Sequence, residues 1–188
     1  MITLDSPHMG VNDSRAPATV RMWNTWNINS DETPDHLTRW IAAVADSAPG
    51  GKIKDLVFSC HGNASYLQMG QGIDLRHAPL FGRLAGKVDK IWFRACLVAA
   101  IQTPGSPTTG DGNLFCAAIA RAAQCYVVAS TELQVAVTNR VLPYGKLDSF
   151  EGLVLSYGPE GRVTWSSRYP STFQRNTADP GSWTWNSD

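Results

Sequence analysis

The chain has no excess of charge: 16 Lys and Arg stand against 16 Asp and Glu over 188 residues. A surface that holds nucleic acid by net positive charge is therefore not expected. No run of about eighteen apolar residues occurs, so no membrane partner is expected. The opening MITLDSPHMGVNDSR has no basic segment followed by an apolar one, and the expectation is a cytoplasmic protein without a secretory leader. Export by a signal-independent route stays open. Only four cysteines are present (Cys60, Cys96, Cys116, Cys125), with no CxxC pair, which favours reduced thiols over a disulfide framework. Internal repeats and long low-complexity tracts are missing as well. What remains, 43% hydrophobic residues in a chain of this length, fits a single domain over 1–188 with one core.

Within that domain the middle is regular. Residues 20–28 alternate as a strand. In SDETPDHLTRWIAAVADSAPGG, Thr33 can cap a helix that has Pro34 in its first turn and Leu37, Trp40, Ile41, Val44 and Ala48 along one face. Short apolar runs at 53–60 and 125–130, and the stretch 90–96, read as buried strands. Residues 65–75 suggest a hairpin, 77–87 a short helix, and 111–124 a helix starting near Asp111. This order implies right-handed crossovers and a mainly parallel sheet, an α/β fold. After 130 the pattern becomes antiparallel, in LQVAVTNRV and in GLVLSYGPEGRVTWS with its turn at Gly158–Gly161. Residues 1–19 and 168–188 carry no clear element and are expected to be extended or mobile.

Chemistry gathers at two strand ends. One closes Ser59-Cys60-His61-Gly62 and the next closes Arg94-Ala95-Cys96, one crossover apart. In open α/β sheets such carboxyl ends are where functional groups meet. A thiol and an imidazole there form a minimal acyl-transfer pair. Gly62, without a side chain, leaves its N–H free to face a developing oxyanion, and the Cys96 N–H can be the second donor.

Read together, LVFSCHG, IWFRACLVA, the pattern G-x-x-F-x-x-x-I-A from Gly112 and VVAST resemble the caspase-like (clan CD) cysteine peptidases, closest to the bacterial CHAT-type domains and their relatives. The resemblance covers about residues 53–131. It implies a three-layer sandwich with helices on both faces of the sheet and an antiparallel carboxy-terminal addition. It also implies His61 as general acid/base, Cys96 as nucleophile and Gly62 in the oxyanion hole. The function implied is a thiol protease, a hydrolase acting on a peptide or protein substrate without a cofactor, with the oligomeric state open. The position two before the nucleophile lines the substrate pocket in this family, and Arg94 projects to the same side as Cys96. Arginine there implies preference for an acidic residue before the scissile bond.

Other readings of the same residues stand beside these. The fold can serve a non-catalytic interaction or sensor module, or a thiol-dependent transferase or deamidase effector. Arg94 can be a core arginine paired with Asp55 or Asp111. Cys60 should face away from His61 into the core, and Cys116 and Cys125 read as buried packing. A metal site from Cys60, His61 and Cys96 lacks a fourth ligand. His8, His36 and His77 have no partner motif and are expected at the surface. The tryptophans read as packing, and the loop 102–112 as a lid beside Cys96 or a long surface connection.

Overall fold

The computed structural model describes residues 1–101, 110–135, 140–175 and 183–185. Most of the loop 102–112, expected as a lid or a surface connection, therefore lies outside the described residues. The fold is mixed α/β, built on a seven-stranded mixed sheet. Its strands are β1 (His8–Asp13), β2 (Asn24–Ile28), β3 (Ile53–Ser59), β4 (Val88–Arg94), β5 (Tyr126–Ser130), β6 (Gly152–Tyr157) and β7 (Val163–Tyr169). They lie in the order β7-β6-β5-β4-β3-β1-β2, the five from β5 to β2 parallel and β6 and β7 antiparallel.

The two longer helices begin where the sequence places them. Helix α1 (Pro34–Ser47) is capped by the Thr33 side chain, which accepts from the His36 N–H. Helix α2 (Gly112–Ala123) is capped by Asp111, whose carboxylate accepts from the N–H groups of Asn113 and Leu114. The short helix is 3₁₀ over Leu75–Leu84, and it buries Ala78, Phe81 and Leu84. That spacing of three is the one that aligns side chains along a 3₁₀ helix. Trp40, expected inward, is exposed against Trp26 and His36 instead.

These three helices cover one face of the sheet, not both. Leu37, Ile41, Phe81, Phe115 and Ile119 pack with Leu56, Phe58, Ile91, Phe93 and Val127 in a single core. The cause is topological. The connections β2-α1-β3, β3-3₁₀-β4 and β4-α2-β5 all move the same way across the sheet, and right-handed crossovers moving one way share a face. The return from β1 out to β2 moves the opposite way and passes over the other face. There Val20, Met22, Leu142 and Leu147 pack on Val57, while Phe150 joins Val128 and Val154.

The largest departure from expectation is β1. Residues 8–13 sit between β2 and β3, buried throughout, although HMGVND carries no strand periodicity. Its polar side chains are matched one by one. Asn12 donates to the Val20 carbonyl and the Asn27 side chain, and accepts from the Val20 N–H. Asp13 accepts from Arg15 and from the Gly70 N–H. His8 is buried as well, not at the surface, accepting from the Trp23 N–H. Further along, 158–161 forms the expected turn between β6 and β7. In the 133–141 stretch, Arg140–Val141 pairs in parallel with Ala18–Thr19, not antiparallel, and 136–139 lie outside the described residues. Phe173–Arg175 and Trp183–Trp185 pair antiparallel with each other. No helix among the described residues is long and apolar enough to cross a membrane.

Candidate active site

Strands β3 and β4 pair with one constant offset, from Ile53↔Val88 to Ser59↔Arg94. Carried two residues further, that offset sets His61 level with Cys96. Beyond the strands the two segments stay in contact. His61 opens a small antiparallel unit, His61–Asn63 with Tyr66–Gln68 and Ile73–Asp74, which accounts for the expected hairpin. A Cβ on Gly62 would lie 2.7 Å from the Cys96 carbonyl oxygen and 2.9 Å from the Ala95 Cβ and from the Val98 side chain. Glycine is what allows the His61 segment to lie directly on the backbone after β4. The Ser65 N–H, donating to the Val98 carbonyl, ties the two further.

Cys96 lies two residues past the end of β4, in a bend. Leu97 takes a positive φ of 60°, and its N–H donates to the Glu132 carbonyl. This is a costly conformation for a branched side chain, one that persists only where surrounding bonds enforce it. The Cys96 N–H has no backbone acceptor among the described residues. The thiol itself is held by Gln134: Sγ accepts from the Gln134 N–H at 3.3 Å and donates to the Gln134 carbonyl at 3.7 Å. Burial pushes the thiol pKa up, and the opposing pulls of the Gln134 N–H and of Arg94 are smaller. Cys96 is therefore a protonated thiol at neutral pH in this conformation. His61 is exposed and makes no hydrogen bond to Cys96 among the described residues.

The segment carrying Gln134 is itself fastened. The Gln134 amide donates to the carbonyls of Glu132, Leu133 and Glu151, and its oxygen accepts from the Glu151 N–H. The Glu132 carboxylate accepts from Leu153 N–H and Arg168, while that of Glu151 accepts from the Thr172 N–H and hydroxyl. Nothing in the sequence pattern marks these residues, because each acts through contacts distant in the chain.

Arg94 is buried, with its side chain toward Ser59. Its partner is neither Asp55 nor Asp111. Asp55 accepts from the Trp92 indole and the Asp5 N–H, and Asp111 caps α2. Instead Asp148 takes the guanidinium in a two-point contact, Nε to Oδ1 at 2.8 Å and Nη2 to Oδ2 at 2.6 Å. Nη1 reaches the Ser59 hydroxyl at 3.4 Å.

A cavity of about 310 Å³ joins these parts, walled by His61, Cys96, Arg94, Asp148, Gln134 and Phe150 among others. That is near the lower end of the ~300–1,000 Å³ range of small-molecule sites. A larger recess of about 610 Å³, beside Trp92 and Trp165, is lined by neither an imidazole nor a thiol. Cys60 borders the small cavity but is buried, its thiol pKa pushed far up by desolvation. Cys116 and Cys125 are buried too, and burial takes Cys125 up to about 12. Among the described residues no group of three or more His, Cys, Asp or Glu is placed to hold a metal ion. Compared with protein-family models, curated proteins and solved structures, the chain finds no match in any of the three.

Proposed function

We propose that the protein is a cysteine peptidase of the caspase-like type, with Cys96 as nucleophile and His61 as general acid/base. One observation carries the reading: the fit of Gly62 against the Cys96 backbone, which puts an imidazole and the one half-exposed cysteine on the same small cavity. In the proposed reaction His61 takes the thiol proton as Sγ bonds to the peptide carbonyl carbon. The carbonyl electron pair moves to oxygen, where the N–H groups of Gly62 and Cys96 receive it. Collapse breaks the C–N bond, and the leaving amine takes the proton back from His61. Water then hydrolyses the thioester, with His61 as its base. Since Gln134 occupies the Cys96 thiol, an arriving peptide has to displace that contact first.

The test is cleavage of a mixed peptide pool read by mass spectrometry. Fragments formed by the wild type and absent with Cys96→Ala support the reading, and an intact pool contradicts it. Product masses also separate hydrolysis from acyl transfer to an amine. A second reading, a non-catalytic interaction module, is favoured by the Cys96 thiol being partnered by Gln134 rather than by His61. It predicts an intact pool.

A further inference from the structure

We infer that the Arg94–Asp148 pair makes the cavity select a neutral carboxamide side chain, asparagine or glutamine, beside the bond attacked, in place of a carboxylate. The inference rests on the reading of Cys96 and His61 as the reacting pair. It starts from an electrostatic fact. An arginine alone on the wall would offer an uncompensated positive charge and would favour an acidic residue. Here the guanidinium is cancelled in place by the two-point contact with Asp148. Both side chains are largely withdrawn from water, 9% and 20% exposed, so solvent screens the pair weakly.

An incoming carboxylate would meet the Asp148 carboxylate as well as Arg94, and two like charges in one desolvated site oppose each other. An incoming ammonium meets the guanidinium in the same way. A carboxamide brings no charge and leaves the pair intact. The remaining hydrogen-bonding capacity also suits it. Arg94 has one N–H on Nη1 and one on Nη2 beyond those given to Ser59 and Asp148, while each Asp148 oxygen retains a lone pair. The donors fit an amide oxygen and the acceptors fit an amide NH₂. An aliphatic side chain of equal size would leave both unpaired as water leaves, which is how polar sites reject apolar analogues. Asp148 is thus a specificity-determining residue, supplied by a segment far along the chain from the strand that ends at Cys96.

The test separates binding from chemistry. Two hexapeptides differing only in Asn or Asp at the central position are titrated by calorimetry into Cys96→Ala, which cannot react. In parallel, acyloxymethyl ketones carrying Asn or Asp are reacted with the wild type. The expected result is at least a tenfold preference for Asn in both assays. Asp148→Asn, which frees the guanidinium charge, should reverse the preference toward Asp. Should Asp148→Asn fail to fold, the wild-type and Cys96→Ala preferences decide alone. Equal or tighter binding of the Asp peptide to Cys96→Ala, or no binding of either, overturns the inference. Selective Asn binding without any wild-type labelling supports the pocket assignment and counts against the peptidase reading instead.

Discussion

The two strand ends that meet at the cavity are built in opposite ways. After β3 the chain runs into an exposed hairpin, and His61 stands at its first position in contact with solvent. After β4 the chain turns back under a positive φ at Leu97 into a half-buried setting, where Gln134 brackets the thiol on both sides. One half of the proposed dyad is open and the other is fastened. The contrast teaches that sheet register brings His61 and Cys96 to one cavity, while the hydrogen bonds to the thiol come from a separate segment, 132–135. The Gln134 amide, with its four hydrogen bonds, keeps that segment where it is.

The comparison can be broken most severely at the thiol. Cys96→Ala is expected to abolish peptide cleavage while leaving the melting temperature close to wild type. On the open side, His61→Ala should lower kcat/KM by about 10²–10⁴-fold, the usual contribution of a general acid/base. A loss below about tenfold would remove His61 from the mechanism. The junction is sharpened by Gly62→Ala, whose new methyl would press on backbone as well as side chains. Overpacking of this kind costs about 1–3 kcal/mol, or roughly 2–4 °C of melting temperature per kcal/mol for a chain of this size, read by calorimetry. An unchanged melting temperature would mean that the two strand ends are not in contact.

Smaller effects probe the fastening. Gln134→Ala should raise the iodoacetamide labelling rate of Cys96 about tenfold, with Cys60, Cys116 and Cys125 remaining silent because they are buried. The pH dependence carries a definite sign. Burial raises the Cys96 pKa, so thiolate is scarce at neutral pH and labelling should rise with a midpoint above the ~8.5 of a free cysteine. In Gln134→Ala, where water regains the thiol, the midpoint should move down toward that value. A wild-type midpoint at or below 8.5 would contradict the fastened state.

Much of this was legible from local pattern. β3, β4, β5 and both α-helices announce themselves through apolar periodicity and capping residues, and the shared chain offset of β3 and β4 follows from one crossover. His61 and Cys96 could be placed at neighbouring strand ends on that basis. β1 could not, because its strand character comes from burial on both faces, and HMGVND satisfies its polar side chains through partners elsewhere in the fold. Periodicity reports exposure to water, and a central strand of polar residues has no exposed side to report. The helices' shared face was hidden for a related reason. It depends on β1 and β2 lying on the far side of β3 from β4, which makes the α1 crossover move the same way as the two that follow. Asp148 and Gln134 escaped notice because each matters through one long-range contact, to Arg94 and to the Cys96 thiol, and neither contact has a local signature.

The most direct measurement of the central claim is intact-mass analysis after reaction with a peptidyl acyloxymethyl ketone, with His61→Ala alongside. The account predicts a single adduct, mapped to Cys96 in the wild type and lost or strongly slowed in His61→Ala. An unlabelled wild-type Cys96, or labelling indifferent to His61, would contradict it and leave the cavity to a non-catalytic role.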